Sequence, residues 1–512
     1  MQCIVFTDSE RLAGKYRCSR QDVVFLLHKN LDHSVEAEFQ ILDAADYREE
    51  LGSAPIWANY KEILADFMAG MGIGPSPQLS LFIIGGDDVV PMPKIANPIN
   101  GQEMLQVDLL YCFEGNCIEV LDPAEAICNV GRLPLESGSL PSTLAEDLQS
   151  YFNLANMLLA TGIDVHKVIM TTTQSWLPAS TDMVKGLPME LPVAIADATC
   201  GDMYVSPRLA TDDDYVLRHY QNDLKMADML MFNLHGSDAR GYSSFYGEGL
   251  NGHNTPEAFT CEMLKYSGAR ILNTVACFGG RYTGYSRKDS MLMSSMYGGG
   301  VVLYAGSCTS ALGRTGRLHN EAQDALMPSG YSESFMKLYS LYLFKGISAG
   351  EAFLKAKCDY FNLCKELDGE DCAMATVLMF NLFGHPLLRV NPNADVMQEA
   401  RGIKGIRPVD AAGETVYKTV YSSGNRMSGS ILEQIRGAVD RNLSIIRSTV
   451  ESHLYKYWGL ASKDLAKIEE IYINSASTGF RFEYVTKGEI IEKRSWAYVD
   501  KMGNVKNVVH FK

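Results

Sequence analysis

A succession of short apolar runs, bounded by turn formers and separated by helix-length stretches, constrains this chain more than any other feature. CIVF (3–6), DVVFLL (22–27) and LSLFIIGG (79–86) open the series. KVIMTTT (167–173), VAIAD (193–197), MLMFNL (229–234), ARILNTVA (269–276) and GVVLYAG (300–306) continue it. Runs of about four to eight residues rich in branched side chains read as strands buried on both faces. Such strands alternating with helices specify a mainly parallel α/β sheet with helices over it. The helical pattern is expected over 59–71, 143–159, 256–267, 289–297, 332–344, 349–367 and 372–382. QVDLLYC and CIEV read as two further strands.

NVGRLPLESGS (129–139) mixes Gly, Pro and Ser and reads as a boundary. From about residue 400 the character changes. ILEQIRGAVDRNLSIIRSTVESHLY reads as one long amphipathic helix, and IEEIYI, FRFEYV, SWAYVD and VKNVVHFK as antiparallel strands, with a hairpin turn at 501–504. The expected units are therefore two α/β subdomains, 1–135 and 136–395, and a small C-terminal α+β domain, 396–512.

Charge excludes some functions. The chain carries 46 basic and 61 acidic side chains, a net charge of −15, and no basic stripe that would mark a nucleic-acid binder. No run approaches the roughly 18 apolar residues of a membrane span. The twelve cysteines include no C-x-x-C pair, so no metal site of that kind is expected. Reduced, buried cysteines and a start without a long apolar signal segment favour a cytoplasmic protein; a secreted mature form is the alternative.

Two of the apolar runs end in reactive residues. MLMFNL leads into His235-Gly236-Ser237, and ARILNTVA leads into Cys277-Phe278-Gly279-Gly280. If the two strands are parallel neighbours, their carboxyl ends lie about 5 Å apart. Open α/β sheets bind ligands outside those ends. An imidazole beside a thiol can take its proton and later protonate a leaving amine. A glycine at 236 permits a carbonyl to approach the backbone, and the N–H groups of Gly236 and Cys277 are candidates for an oxyanion hole. Taken singly, a cysteine after an apolar strand is usually core and a His-Gly usually a turn; the matched pair is the stronger observation.

An apolar strand ending in His-Gly, followed by one ending in Ala-Cys, resembles the caspase-like fold shared by caspases, legumains, clostripain, separase and gingipains. FIIGGDDVVPMP (82–93), VDLLYC, NVGRLP (129–134), VVLYAGS (301–307) and FNLFGHPLL (380–388) resemble gingipains in particular, in the same order, over about residues 1–395. The resemblance implies a cysteine endopeptidase acting through a Cys277–His235 dyad and a thioester intermediate. It implies cleavage after a basic residue (Arg or Lys), with a protein or peptide as partner, no required cofactor, and structural calcium as an accessory. Asp108 best matches the acid that gingipains supply from the first subdomain; Glu103 is the second candidate, and Ser307 closes the VVLYAGS strand into the substrate cleft. A strand-end cap is the other reading of Asp108. Two positions depart from the family pattern: Leu234 stands where a glycine is common, and His385 where an acid is common.

Three further expectations attach to this reading. The loop 279–289, with Arg281, Arg287 and Lys288, is a candidate activation or gating loop, or a plain solvated one. A latent or pseudo-peptidase binding a partner through the C-terminal domain is the competing function. A thiol acyl transferase or amidase is the third.

Overall fold

The structure, a computed structural model, describes residues 2–31, 38–47, 56–99, 101, 103–114, 122–135, 143–173, 176–188, 193–197, 224–237, 239, 241–247, 257–313, 331–365, 370–392, 465–473, 476–487, 492–500 and 505–511. Ten strands form the central sheet. They are β1 (Gln2–Thr7), β2 (Glu38–Asp43), β3 (Ser80–Ile84), β4 (Asn129–Leu133), β5 (Val168–Thr172), β6 (Val193–Asp197), β7 (Met229–Asn233), β8 (Ile271–Thr274), β9 (Leu303–Ser307) and β10 (Phe380–Gly384). The order across the sheet is β2-β1-β3-β4-β10-β9-β8-β7-β5-β6. Every adjacent pair is parallel except β9 and β10. The expected mixed α/β architecture with a mainly parallel, helix-flanked sheet is what the chain forms.

Nine α-helices accompany the sheet among the described residues: α1 (Ser9–Tyr16), α2 (Arg20–Leu31), α3 (Trp57–Gly70), α4 (Leu144–Thr161), α5 (Leu177–Val184), α6 (Met291–Tyr297), α7 (Tyr331–Leu343), α8 (Ala349–Cys364) and α9 (Glu370–Met379). Local chemistry starts them. Asp8 caps α1 by accepting from the Arg11 N–H, and Thr143 and Glu146 form a capping box on α4. The strands β1, β3, β4, β5, β7, β8, β9 and β10 are buried along nearly their whole length, as strands covered on both faces must be.

The single antiparallel join decides where the two halves of the sheet meet. Ser307 at the end of β9 lies opposite Phe380 at the start of β10. Loops from the first 135 residues therefore reach the edge where β7, β8 and β9 end. Asn381 fastens them there: its Nδ2 donates to the Gln106 carbonyl at 2.8 Å and its Oδ1 accepts from the Asp108 N–H at 3.0 Å. Lys357 on α8 donates to the Phe380 carbonyl at 2.8 Å and to the Val377 carbonyl, holding the point where α9 turns directly into β10.

Several elements differ from the expectations. DVVFLL is the middle of helix α2, not a strand. Ser19 and Asp22 bond each other's main-chain N–H groups, and Val23, Leu27 and Leu31 form a buried stripe at helical spacing. QVDLLYC ends in a 3₁₀ turn, Asp108–Cys112, because Asp108 is drawn to Arg132 and the Tyr111 hydroxyl to the Pro91 carbonyl. The stretch 256–267 is a short strand, Glu257–Thr260, and a 3₁₀ turn, Cys261–Tyr266, rather than a helix. Phe259 packs against Phe232 at 4.6 Å, which holds that strand flat on the sheet end. The third late helix stops at Met379, and Phe380–Gly384 is β10, a strand the sequence reading did not separate from the helix before it.

The tail contributes β11 (Leu465–Ile473), β12 (Ala476–Lys487), β13 (Glu492–Asp500) and β14 (Val505–Phe511), paired antiparallel in chain order, as its alternation suggests. A fifth, two-residue strand joins this sheet from elsewhere: Leu312–Gly313 pairs antiparallel with β14. The expected CIEV strand, the long helix near 431–455 and the turn at 501–504 lie outside the described residues. No helix among the described residues is long and apolar enough to cross a membrane, and no described group of three or more His, Cys, Asp or Glu could hold a metal ion.

Candidate active site

The site is built from three strand ends and one loop. β7 and β8 are adjacent and parallel, with Phe232 opposite Thr274, and the Val275 N–H donates to the Phe232 carbonyl at 3.0 Å. His235 follows Phe232 by three positions and Cys277 follows Thr274 by three, so register carries both to the same level past the sheet. Both are recessed: His235 is 2% exposed and Cys277 4%.

Glycine 236 records how closely the two turns meet. A Cβ added there would lie 1.7 Å from the Cys277 carbonyl oxygen and 3.0 Å from its nitrogen. Only a hydrogen on that Cα lets the two backbones approach. His235–Ser237 is itself a short strand, paired antiparallel with Ser244–Tyr246, which pairs in turn with Glu257–Thr260. The imidazole is therefore held by a small sheet of its own. Trp176, at the start of α5 just beyond β5, presents its indole to the His235 ring edge to face, with centroids 4.5 Å apart at 71°. The sequence reading did not single out Trp176; a buried aromatic just past the end of the strand adjoining β7 was the available signal.

The Cys277 sulfur has a main-chain donor. The Ala311 N–H lies 3.1 Å from Cys277 Sγ, and the Ala311 carbonyl is 3.8 Å away. The sulfur thus faces both main-chain groups of one residue, accepting from its N–H and donating to its carbonyl. The loop 307–311 is tied to the residues after Cys277: the Phe278 N–H donates to the Thr309 carbonyl and the Gly280 N–H to the Ser307 carbonyl, both at 2.8 Å. Phe278 takes φ = 56°, in the left-handed region that non-glycine residues rarely adopt. Such backbone strain is usual where a turn must present a reactive side chain.

The remaining site candidates fall elsewhere. Asp108 is 2% exposed, and both its carboxylate oxygens are taken by Arg132: Nε donates to Oδ2 at 2.8 Å and Nη2 to Oδ1 at 2.6 Å. Arg132 also donates to the carbonyls of Gly85 and Val90 at 2.8 Å, so the pair is a fully bonded buried ion pair inside the first half of the sheet. That geometry ties Asp108 to the framework through Arg132. Glu103 does reach the site: its Oε1 accepts from the Ser310 N–H at 2.9 Å, and its Oε2 from Asn97 Nδ2 at 3.2 Å. It thereby holds the residue before Ala311. The Ser307 hydroxyl is buried and donates to the Thr309 carbonyl at 3.0 Å, shaping the same loop from within.

The loop 279–289 is packed rather than merely solvated. Tyr282 is buried and donates to Met92 Sδ at 3.2 Å. Arg287 pairs with Asp147 and lies over the Tyr297 ring at 4.6 Å, while Arg281 lies over Phe278 and Tyr285. Lys288 is exposed. His385 is structural: burial lowers its pKa to about 3, its N–H donates to the Tyr151 hydroxyl at 2.6 Å, and its Nδ1 accepts from the Leu387 N–H at 3.2 Å.

Comparison with known proteins adds little. No family model matches the chain, and no curated protein does. A solved structure named "Structure of Protease" is similar to it at 10% identity with a TM-score of 0.48, covering 99% of this chain and 96% of the other. A fit that loose leaves the reading to the site itself.

Proposed function

We propose that the chain is a cysteine endopeptidase of the caspase-like, gingipain type, with Cys277 as nucleophile and His235 as general base and acid. The observation that supports this most is the meeting of the two strand ends: parallel register, Gly236 against the Cys277 backbone, and a main-chain donor on the Cys277 sulfur. In the reaction the Cys277 thiolate attacks the peptide carbonyl carbon, and the oxyanion is held by the N–H groups of Gly236 and Cys277. The amine leaves with a proton from His235, giving a thioester. Water, deprotonated by His235, then releases the acid and restores the thiol. No metal or cofactor takes part in these steps, and calcium would act only on the frame.

Subdomains 1–135 and 136–395 would share the cleft, with 396–512 as an appendage. A basic P1 residue is the preference that the resemblance implies. Asp108, the acid that the resemblance offers for reading it, is bonded through both carboxylate oxygens to Arg132. The Cys–His arrangement also suits a thiol acyl transferase, and the paired edge at Leu312–Gly313 suits a latent chain. Cleavage of a P1-diverse fluorogenic peptide library by wild type and by Cys277→Ala separates these. Hydrolysis lost in the variant supports the peptidase; hydrolysis that persists in the variant sinks it.

A further inference from the structure

The loop that supplies the donor to Cys277 does not end there. Ala311 is followed at once by Leu312–Gly313, and this two-residue strand pairs antiparallel with β14, the last described strand of the chain: Leu312 opposite Phe511, Gly313 opposite His510. Leu312–Gly313 thus becomes the outer strand of a five-stranded sheet whose other four strands are β11 to β14. Both residues are buried, and helix α7 packs against them as well. An extended main chain therefore runs along the strand edge that begins one residue beyond the contact to the nucleophile.

A strand edge is a ready template for any extended peptide. A peptide presented to Cys277 would compete for this one with a segment of the same chain. An intramolecular strand competes at an effective concentration of order millimolar, and it is backed here by three further strands rather than by two residues alone. Resting on the peptidase reading above, we propose that β14 is a built-in occupant of the cleft's strand edge. The intact chain is thereby restrained, and an extended peptide gains Cys277 only by displacing Val505–Phe511. The appendage is then the regulatory part of the molecule, and whatever takes hold of its sheet releases the site.

The test uses the full chain and two alkylating probes. Iodoacetamide is small and needs no strand edge. A peptidyl acyloxymethyl ketone panel with varied P1 binds extended; the Cys277 sulfur displaces its carboxylate and forms a thioether. Proline at 510 cannot donate to a ladder, so His510→Pro weakens the pairing of β14, and removal of residues 505–512 takes that strand away altogether; both leave the residues Cys277, His235 and Ala311 unchanged. The peptidyl probes should label Cys277 at least tenfold faster in the shortened chain than in wild type, and faster in His510→Pro, with the iodoacetamide rate changed less than twofold. A synthetic VKNVVHFK peptide (505–512) should slow the shortened chain again. Equal peptidyl labelling of the shortened chain and wild type overturns the inference and leaves the peptidase reading standing. Failure of both probes to select Cys277 in any of these chains overturns the peptidase reading, and this inference with it.

Discussion

The Ala311 N–H points at the Cys277 sulfur from 3.1 Å, and it does so because the loop before it is pinned from the other half of the sheet. Glu103, which belongs to the first 135 residues, accepts from the Ser310 N–H at 2.9 Å. The nucleophile's surroundings are thus shared between parts of the chain more than 200 positions apart in sequence, and each can be tested separately.

Glu103→Gln keeps the shape of the side chain but removes its charge. A charge-assisted bond is roughly twice as strong as a neutral one, so the loop 308–311 should hold the sulfur less well. Activity should fall by about threefold to thirtyfold, with the pattern of P1 preference unchanged. A reversed P1 preference would make Glu103 a substrate-reading acid instead; steady-state kinetics on matched substrates distinguishes the two.

Gly236→Ala places a methyl group where the Cys277 carbonyl oxygen already lies. One backbone must shift. Overpacking of this kind costs about 1–3 kcal/mol of stability, and misplacing reacting groups by about 1 Å costs about a hundredfold in rate. Urea unfolding and the iodoacetamide labelling rate of Cys277 should show both effects. A variant as active as wild type would mean that the two turns are not held in the contact described.

Asp108→Asn leaves Arg132 buried with its carbonyl acceptors but without its counter-charge. Removing one partner of a buried ion pair costs about 3–5 kcal/mol. The expected result is a large drop in the urea midpoint, with cleavage specificity unchanged in whatever fraction stays folded. A stable variant that has lost preference for basic residues would restore the pocket role that the resemblance implied.

His385 makes stability depend on pH in a window set by its burial. Its pKa is lowered from the ordinary 6.5 to about 3, so between those values the unfolded chain binds a proton that the folded chain does not. Stability is therefore complete above pH 6.5 and declines as pH falls toward 3. One such group is worth about 2 kcal/mol between pH 6.5 and 5. His385→Gln should flatten the pH dependence of unfolding by that amount; an unchanged slope would show that other groups carry it.

The parts legible from sequence were those that repeat a pattern. Seven of the eight apolar runs singled out do contain sheet strands, and β7 and β8 are parallel neighbours as the His-Gly and Ala-Cys endings required. The exception, DVVFLL, is locally ambiguous: a short apolar run carries no period of its own, and the Ser19-Asp22 cap was the arbiter. β10 was hidden because α9 runs into it with no turn residue between Met379 and Phe380. The site's core pair could be read because each residue ends a strand. Asp108 could not be assigned, because its partner Arg132 lies in a run that looked like a linker, and Trp176 could not, because its role comes from the neighbouring strand end alone.

The most direct test of the central claim is to trap the acyl-enzyme. Rapid quenching after mixing the chain with excess activated peptide ester, followed by mass spectrometry of the digest, locates any thioester among the twelve cysteines. The account predicts a stoichiometric acyl adduct on Cys277, formed faster in His510→Pro than in the intact chain and at least a hundredfold more slowly in His235→Ala. No adduct, or one carried by another residue, would contradict it.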